Sequence, residues 1–331
     1  MKFKRDHPVI VGVVSTLLAA AALLGVLLWQ AGPGSSPHGA PAAHRSDSTI
    51  TPAAHRAVVT SAEPFLQRIA YPAAHADPTQ NYADLYLPTV SPAHPRLPLV
   101  VLVHGGAWAR GVGAHSFDRL ARDLTARGLA VYNVEYRRLG SGGGWPATFT
   151  DLAAALDDLP AVIRAHPQIT LRNSVLAGHS AGAQLAVWSA LRTADDPSLG
   201  LGPPRWRPST VISVSGPLDM VFSATHGDSR VIRALGGPPS AVADRYRAVD
   251  PLELATDGDE ASAPEIVAVH GTADRLVSAV NSERFVAEYL LHRGHGRLQL
   301  LPGATHTSMF EAHSAAYRSL IDLIAAEALR P

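Results

Sequence analysis

Ser180 is the residue whose surrounding sequence most clearly indicates a reactive side chain, because it is the centre of a Gly-His-Ser-Ala-Gly stretch at residues 178–182. A mostly apolar run over residues 174–177 precedes this stretch, and a run with helical character over residues 183–191 follows it. This order predicts a strand, a sharp turn and a helix, with the serine exposed at the turn. A serine hydroxyl is a weak nucleophile unless a base removes its proton. Ser180 is therefore a candidate nucleophile that needs a base, an acid and oxyanion donors from other segments.

Two later segments can provide the acid and the base. Asp274 closes a His-Gly-Thr-Ala-Asp segment at residues 270–274, directly after a predicted strand over residues 265–269. Such a carboxylate can orient an imidazole and stabilise its charged form. His306 follows the next predicted strand, and of the 16 histidines it alone lies in a post-strand loop downstream of both Ser180 and Asp274. These positions predict Asp274 as the acid and His306 as the base.

Other acids and histidines fit these two roles less well. Asp257 and Asp259 lie in a polar loop before the strand that leads to Asp274, and His295 also precedes its strand. Residues before a parallel strand lie at the opposite edge of the sheet from the nucleophile. The alternative interpretation of Asp274 is an N-cap for the helix that begins near Ser278.

A His-Gly-Gly-Ala-Trp segment, residues 104–108, follows the apolar run at residues 99–103. Adjacent glycines at a strand end can point backbone N–H groups at one spot without steric conflict. Acyl transfer requires such donors where negative charge develops in the transition state. We expect the N–H groups of Gly105 and Gly106 to act with that of Ala181, the residue after the nucleophile. The alternative is an ordinary Gly-Gly turn.

Three further features allow both a functional and a structural interpretation. Trp108 either lines the pocket for the acyl or alcohol group or packs beneath the site. Asp219 also follows a predicted strand, but we interpret it as structural because Asp274 already fills the role of the acid. Arg137 and Arg138 can bind an anionic substrate group, although a solvated or ion-paired role is favoured.

The elements around these residues alternate between strands and helices. Apolar runs predict strands at residues 65–71, 82–87, 99–103, 129–134, 175–177, 210–214, 265–269 and 297–301. Helical spacing or composition predicts helices at residues 115–127, 146–166, 183–191, 279–291 and 314–329. Such alternation is typical of a mostly parallel sheet covered by helices on both faces. Residues 217–258 are the exception: we expect them to be irregular, and either to pack over the carboxyl edge of the sheet or to form a plain connection.

Composition excludes several classes of function. The chain has 331 residues, of which 47% are hydrophobic and 17% charged, so a packed globular domain is expected. Lysine plus arginine and aspartate plus glutamate both number 28, and this balance gives no sign of nucleic-acid binding. No cysteine is present, which excludes disulfides, thiol nucleophiles and zinc–cysteine sites. We predict no cofactor and no metal.

The N-terminus carries the signature of an export signal. Residues 1–8 contain three basic side chains, whereas residues 9–29 contain no charge and are long enough to cross a bilayer as a helix. Because basic residues remain in the cytoplasm, we expect a single-pass membrane protein whose catalytic domain is extracytoplasmic. The alternative is a cleaved signal peptide and a secreted protein.

Two regions follow this segment. Residues 30–62 are rich in proline, glycine, alanine and histidine and predict a flexible linker. The single histidines in it, His38, His44 and His55, lack the close pairing of a metal site. Residues 63–331 then form the predicted catalytic domain.

Together these segments resemble α/β-hydrolase serine esterases of the hormone-sensitive-lipase and arylformamidase (kynurenine formamidase-like) branches. The resemblance rests on six segments: residues 82–88, 104–108, 135–137, 178–182, 270–274 and the His306 loop. The order nucleophile, acid, base is that of α/β-hydrolases. Lipase relatives typically have a third glycine where this sequence has Ala107, so the His-Gly-Gly-x-Trp form is more similar to the arylformamidase-type branch.

The resemblance implies a mechanism and a class of substrate. Ser180 would form an acyl-enzyme with a small-molecule ester or aryl amide, His306 would transfer the protons, and Asp274 would hold His306. The alternatives are an acyltransferase or peptidase on the same scaffold, or a non-catalytic binding protein that keeps the fold.

Overall fold

The structure, a computed structural model, describes residues 65–88, 96–193, 198–256, 263–293 and 295–330. The predicted cytoplasmic segment, membrane helix and linker, residues 1–62, lie outside the described residues. In the part that is described, no helix combines the length and apolar character needed to span a bilayer. The N-terminal membrane anchor therefore stays a prediction.

Within these described residues, eight strands form one sheet in the order β1-β2-β4-β3-β5-β6-β7-β8. The strands are β1 (Phe65–Ala70), β2 (Tyr82–Leu87), β3 (Leu97–Val103), β4 (Ala130–Val134), β5 (Ile169–His179), β6 (Thr210–Val214), β7 (Glu265–Gly271) and β8 (Gly296–Leu301). Strand β2 pairs antiparallel with both β1 and β4, whereas every other pairing is parallel. The mostly parallel sheet predicted from the sequence is confirmed.

The central strands are mostly apolar because both faces of the sheet are covered. Successive side chains of a strand point to opposite faces, so Val101 belongs to one hydrophobic core while Val100 and Leu102 belong to the other. Trp188, from the helix after the elbow, packs in the first core, and Ile324, from the C-terminal helix, packs in the second.

Ten α-helices occur in the described residues. They are α1 (Asp118–Thr125), α2 (Ala147–Asp157), α3 (Leu159–Ala165), α4 (Ala181–Leu191), α5 (Met220–Thr225), α6 (Ser229–Leu235), α7 (Ala243–Val249), α8 (Pro251–Thr256), α9 (Val280–Arg293) and α10 (Ala315–Ala328). Short 3-10 turns cover Ala114–Phe117 and Ser308–Phe310. The helix predicted over residues 146–166 is thus two helices. Pro160 lies in the first turn of α3 and has no N–H with which to continue the hydrogen bonding of α2.

The expectation that residues 217–258 are irregular is wrong. This segment contains α5 to α8, four helices of only six or seven residues. Asp219 and Asp228 accept backbone hydrogen bonds at the starts of α5 and α6, and Gly236 ends α6 with a φ of 77°. Helices this short contain too few turns for a hydrophobic period to be recognised in the sequence.

The sheet register brings the carboxyl ends of the central strands together. Val103 of β3 is paired with Gly178 of β5, and His179 is paired with Val214 of β6. Val214 is paired in turn with Val269 of β7. The segments that follow β3, β5, β6 and β7 therefore meet at one edge of the sheet, where ligands bind in parallel α/β folds.

Candidate active site

The turn between β5 and α4 holds Ser180 in a strained conformation, with φ 55° and ψ −122°. The turn is tight enough to exclude side chains on either side. A Cβ on Gly178 would lie 2.2 Å from the carbonyl oxygen of Gly182, and a Cβ on Gly182 would lie 2.2 Å from the carbonyl oxygens of Val103 and His104. Both glycines are therefore required by the close approach of the backbone, as expected for a nucleophile elbow.

Ser180, His306 and Asp274 form a continuous chain of hydrogen bonds. The Ser180 Oγ is 2.9 Å from Nε2 of His306, and Nδ1 of His306 is 2.8 Å from Oδ2 of Asp274. A carboxylate only accepts hydrogen bonds, so Nδ1 carries a proton and Nε2 of the neutral ring can accept the serine proton. The three residues predicted from the sequence are thus brought together in the arrangement needed for nucleophilic catalysis.

The side chain of Asp274 is buried and heavily hydrogen-bonded. Its Oδ1 accepts the N–H groups of Leu276 and Val277 at 2.9 and 3.0 Å, and both residues lie in the loop before α9, so Asp274 does not cap that helix. Its Oδ2 faces His306 and lies 3.4 Å from Nε2 of His270. Burial raises the pKa of Asp274, but the hydrogen bonds from His270, His306 and Val277 outweigh burial and hold that pKa well below its usual range. The group is therefore a carboxylate at neutral pH, as an orienting acid must be.

The predicted oxyanion loop passes directly against the nucleophile. A Cβ on Gly105 would lie 3.2 Å from Cβ of Ser180. The next three residues, Gly106, Ala107 and Trp108, all have left-handed φ angles, of 111°, 55° and 53°. This conformation turns the backbone sharply at the strand end. Ala181 begins α4, where the first N–H groups of a helix have no partner within the helix.

A polar network behind this loop holds it in place. Nε2 of His104 is 3.0 Å from Oε1 of Glu135, and Nδ1 is 2.7 Å from the carbonyl oxygen of Gly105. Tyr136 stacks on the His104 ring at 4.3 Å and donates its hydroxyl proton to the carbonyl oxygen of His104. Leu139 donates its N–H to the carbonyl oxygen of Trp108. The segment after β4 therefore supports the whole loop.

Glu135 is the centre of that support and was not predicted as a site residue. Its Oε2 accepts the N–H of Ala114 at 2.9 Å, and Arg138 lies 3.3 Å from Oε1. Burial raises the pKa of Glu135. The hydrogen bond and charge of His104, the N–H of Ala114 and the charge of Arg138 lower it by a larger amount, so the pKa lies below its usual range. The signal available in the sequence was an acidic side chain directly after a buried strand, at the start of the segment over residues 135–137.

Comparison with known proteins identifies the family. The BD-FAE family model matches residues 83–289, well over half of the chain. The chain belongs to the BD-FAE family. The matched range contains the oxyanion loop, the elbow and Asp274, while His306 lies beyond it.

Two curated relatives of this BD-FAE protein are esterases by name. A probable isoprenylcysteine alpha-carbonyl methylesterase from Oryza sativa subsp. japonica is 26% identical over 74% of this chain and 59% of its own length. Esterase LipC from Mycobacterium tuberculosis is 26% identical over 70% of this chain and 57% of its own length. The chain thus spans less than two thirds of either relative. The resemblance to α/β-hydrolase serine esterases of the hormone-sensitive-lipase-like branch is confirmed.

Solved structures agree on the fold. Esterase B from Lactobacillus rhamnosis superposes with a TM-score of 0.65 and 17% identity, covering 79% of this chain and 85% of that one. A truncated carbohydrate esterase from gut microbiota gives a TM-score of 0.63 and 18% identity over 80% of this chain and 97% of that one. The BD-FAE domain therefore has the α/β-hydrolase fold.

Trp108 of this BD-FAE protein is 2% exposed, and this burial favours the interpretation in which it packs beneath the site. Its indole Nε1 donates to Oε1 of Gln184 at 3.1 Å. Gln184 in turn donates Nε2 to the carbonyl oxygen of Val249 at 2.8 Å. The oxyanion loop is thereby linked through α4 to the short helices that precede β7.

The remaining candidates have structural partners. Arg137 makes a two-pronged ion pair with Asp151 at 2.8 and 2.6 Å, as the ion-paired interpretation predicts. Asp219 caps α5 and pairs with Arg284 at 2.7 Å. His295 precedes β8, where its carbonyl oxygen accepts the N–H of Ile266 at the amino end of β7.

Asp257 and Asp259, the alternative acids that fit the role of Asp274 less well, lie outside the described residues. Within the described ranges, no three acidic or histidine side chains are arranged to hold a metal ion.

The closeness of the elbow to β3 in this BD-FAE fold predicts a severe defect for Gly182→Ala. Because the added methyl would overlap two backbone oxygens of the central strand, the backbone must move, and we expect the free energy of unfolding to fall by at least about 3 kcal/mol. Gly202→Ala is the matched control, since nothing lies within 4 Å of a Cβ there. Urea unfolding of both variants measures the difference. A Gly182→Ala chain as stable as the control contradicts the close packing described here.

Proposed function

We propose that this protein is a serine carboxylesterase that hydrolyses a small-molecule ester through an acyl-enzyme on Ser180. The observation that carries the proposal is the hydrogen-bonded chain from Ser180 through His306 to Asp274, at 2.9 and 2.8 Å, on a strained elbow. The relatives are named as esterases, and this supports an ester rather than an amide as the substrate.

In the proposed acylation step, Oγ of Ser180 attacks the carbonyl carbon while Nε2 of His306 takes its proton. The negative oxygen of the tetrahedral intermediate accepts hydrogen bonds from the backbone N–H groups of Gly105, Gly106 and Ala181. The bond to the leaving group then breaks, and His306 returns the proton to the departing alkoxide. The products of this step are an alcohol and an ester of Ser180.

Deacylation repeats the same chemistry with water. His306 takes a proton from a water molecule, the hydroxide attacks the acyl carbon, and Ser180 leaves with the proton that His306 returns. Asp274 holds the Nδ1 proton of His306 in both steps and stabilises the imidazolium. Ser180 is 8% exposed and His306 is 7% exposed, so the reacting atoms are largely shielded, which strengthens the electrostatic interactions among them.

Covalent labelling tests the proposal directly. The full chain is treated with a fluorophosphonate, and mass spectrometry locates the adduct. In parallel, hydrolysis of p-nitrophenyl acetate, butyrate and octanoate is compared with that of an N-formyl aryl amide. We expect the adduct on Ser180, turnover of at least one ester, and loss of that turnover after labelling. An adduct on another residue, or labelled protein with full esterase activity, contradicts the proposal.

A further inference from the structure

His179 occupies the position before the nucleophile, and its imidazole contacts the proposed base. Nε2 of His179 is 2.9 Å from the backbone carbonyl oxygen of His306. The two rings lie 4.8 Å apart, and the His179 ring lies 4.4 Å from the ring of Phe310. The proposed mechanism uses none of these contacts.

The direction of this hydrogen bond determines the tautomer of His179. A carbonyl oxygen only accepts, so Nε2 carries the proton and donates it. Burial lowers the pKa of His179 to about 3, and the neighbouring His306 acts in the same direction. The ring is therefore neutral at ordinary pH, and it places no positive charge beside His306 when His306 becomes an imidazolium.

His179 also touches the oxyanion loop. A Cβ on Gly105 would lie 3.0 Å from Nδ1 of His179 and 2.9 Å from its carbonyl oxygen, so the two segments pack as closely as a glycine allows. One imidazole thus contacts both the loop that supplies oxyanion donors and the loop that supplies the base. His179 belongs to the same elbow as Ser180, so the elbow, the oxyanion loop and the loop that carries His306 all meet at this residue.

The loop that carries His306 depends on such ties because it follows β8, the last strand of the sheet. On its far side the loop is held to the end of β7: Ala273 donates to the carbonyl oxygen of Ala304, and Gly303 donates to Oγ1 of Thr272. On the side of the elbow, within the described residues, the hydrogen bond from His179 is the one that holds the main chain of His306.

We propose that His179 is a positioning residue whose Nε2–H anchors the main chain of His306 to the nucleophile elbow and so holds the base within reach of Ser180. The proposal rests on the proposed function, because it assigns a role relative to that base. A shift of the base by about 1 Å costs on the order of 10²-fold in rate without altering substrate binding. The effect is therefore expected in kcat and not in KM.

Two amide variants of the full chain separate the donor from the ring. In His179→Gln the side-chain N–H group can reach the position of Nε2, whereas in His179→Asn it is one methylene too short. We expect the Gln variant to keep kcat within about 5-fold of the unchanged protein, and the Asn variant to lose about 10- to 100-fold in kcat with KM unchanged. Thermal unfolding of each variant shows whether it is folded.

The results have distinct meanings. Equal kcat values for the Gln and Asn variants overturn the proposal, and so does a loss that appears in KM alone. If the Asn chain does not fold, His179→Phe replaces it, since phenylalanine keeps a ring but has no donor, and the same loss in kcat is expected. Ester turnover and fluorophosphonate labelling of the unchanged protein are measured first. Failure there refutes the proposed function, whereas failure of the Gln–Asn contrast alone refutes only the role of His179.

Discussion

Replacing Ser180 with alanine is expected to lower kcat for ester hydrolysis by about 10⁶-fold, because no other group at the elbow can form the acyl-enzyme. The proposed oxyanion donors remain, so a small residual rate above that of water is expected. Steady-state kinetics with the best p-nitrophenyl ester measure the loss, and the variant must also fail to take up a fluorophosphonate.

Ser215→Ala is the matched control for this variant. Ser215 follows the neighbouring strand β6, is fully buried, and has a left-handed φ of 52° similar to that of Ser180. Within the described residues its Oγ has no hydrogen-bond partner, so we expect its loss to leave kcat within about 3-fold. The assignment of the nucleophile is contradicted if Ser180→Ala retains more than about 1% of the activity or if the two variants are equally impaired.

Asp274→Asn is expected to lower kcat by about 10⁴-fold while leaving the fold intact. An asparagine is similar in size, and its amide oxygen can still accept the N–H groups of Leu276 and Val277. Its NH₂ group would then face His306 and favour the tautomer with the proton on Nε2, which cannot accept the proton of Ser180. The imidazolium would also lose its carboxylate partner. Kinetics and urea unfolding of the same preparation separate the loss of activity from any loss of stability.

Asp219→Asn provides the matched comparison, since Asp219 is another buried carboxylate in a segment that follows a strand of the sheet. Its partners are Arg284 and the N–H of Phe222, and neither belongs to the catalytic chain. We expect Asp219→Asn to reduce stability with a change in kcat of less than about 10-fold. A larger kcat loss in Asp219→Asn than in Asp274→Asn overturns the assignment of the acid.

Much of the framework was predictable because the strands here are short segments that are either mostly apolar or alternate between polar and apolar side chains. The run at residues 210–214 matches β6 at both ends, and the run at residues 82–87 matches β2. The proposed nucleophile, acid and base could also be selected from the sequence, since each follows a strand in the order typical of this fold. These features depend on short segments of sequence, so they can be recognised without knowledge of contacts between distant residues.

What could not be predicted depends on contacts between distant segments. Glu135 acts on His104, 31 residues earlier, and no local pattern indicates that pairing. Trp108 reaches Gln184, 76 residues later, and this contact decides between lining the pocket and packing beneath it. The helices α5 to α8 were missed for a different reason, because each has fewer than two full turns.

The order of the strands along the chain has a consequence for the protein during its synthesis on the ribosome. The proposed base comes from the segment after β8, 126 residues later in the chain than the nucleophile. At roughly 5–20 residues per second, a ribosome needs about 6–25 s to make that length of chain after Ser180. Throughout that interval the nascent chain carries the serine and the oxyanion loop but no base. If the proposed mechanism holds, the chain becomes reactive only after β8 and the loop that carries His306 have been synthesised and have joined the sheet.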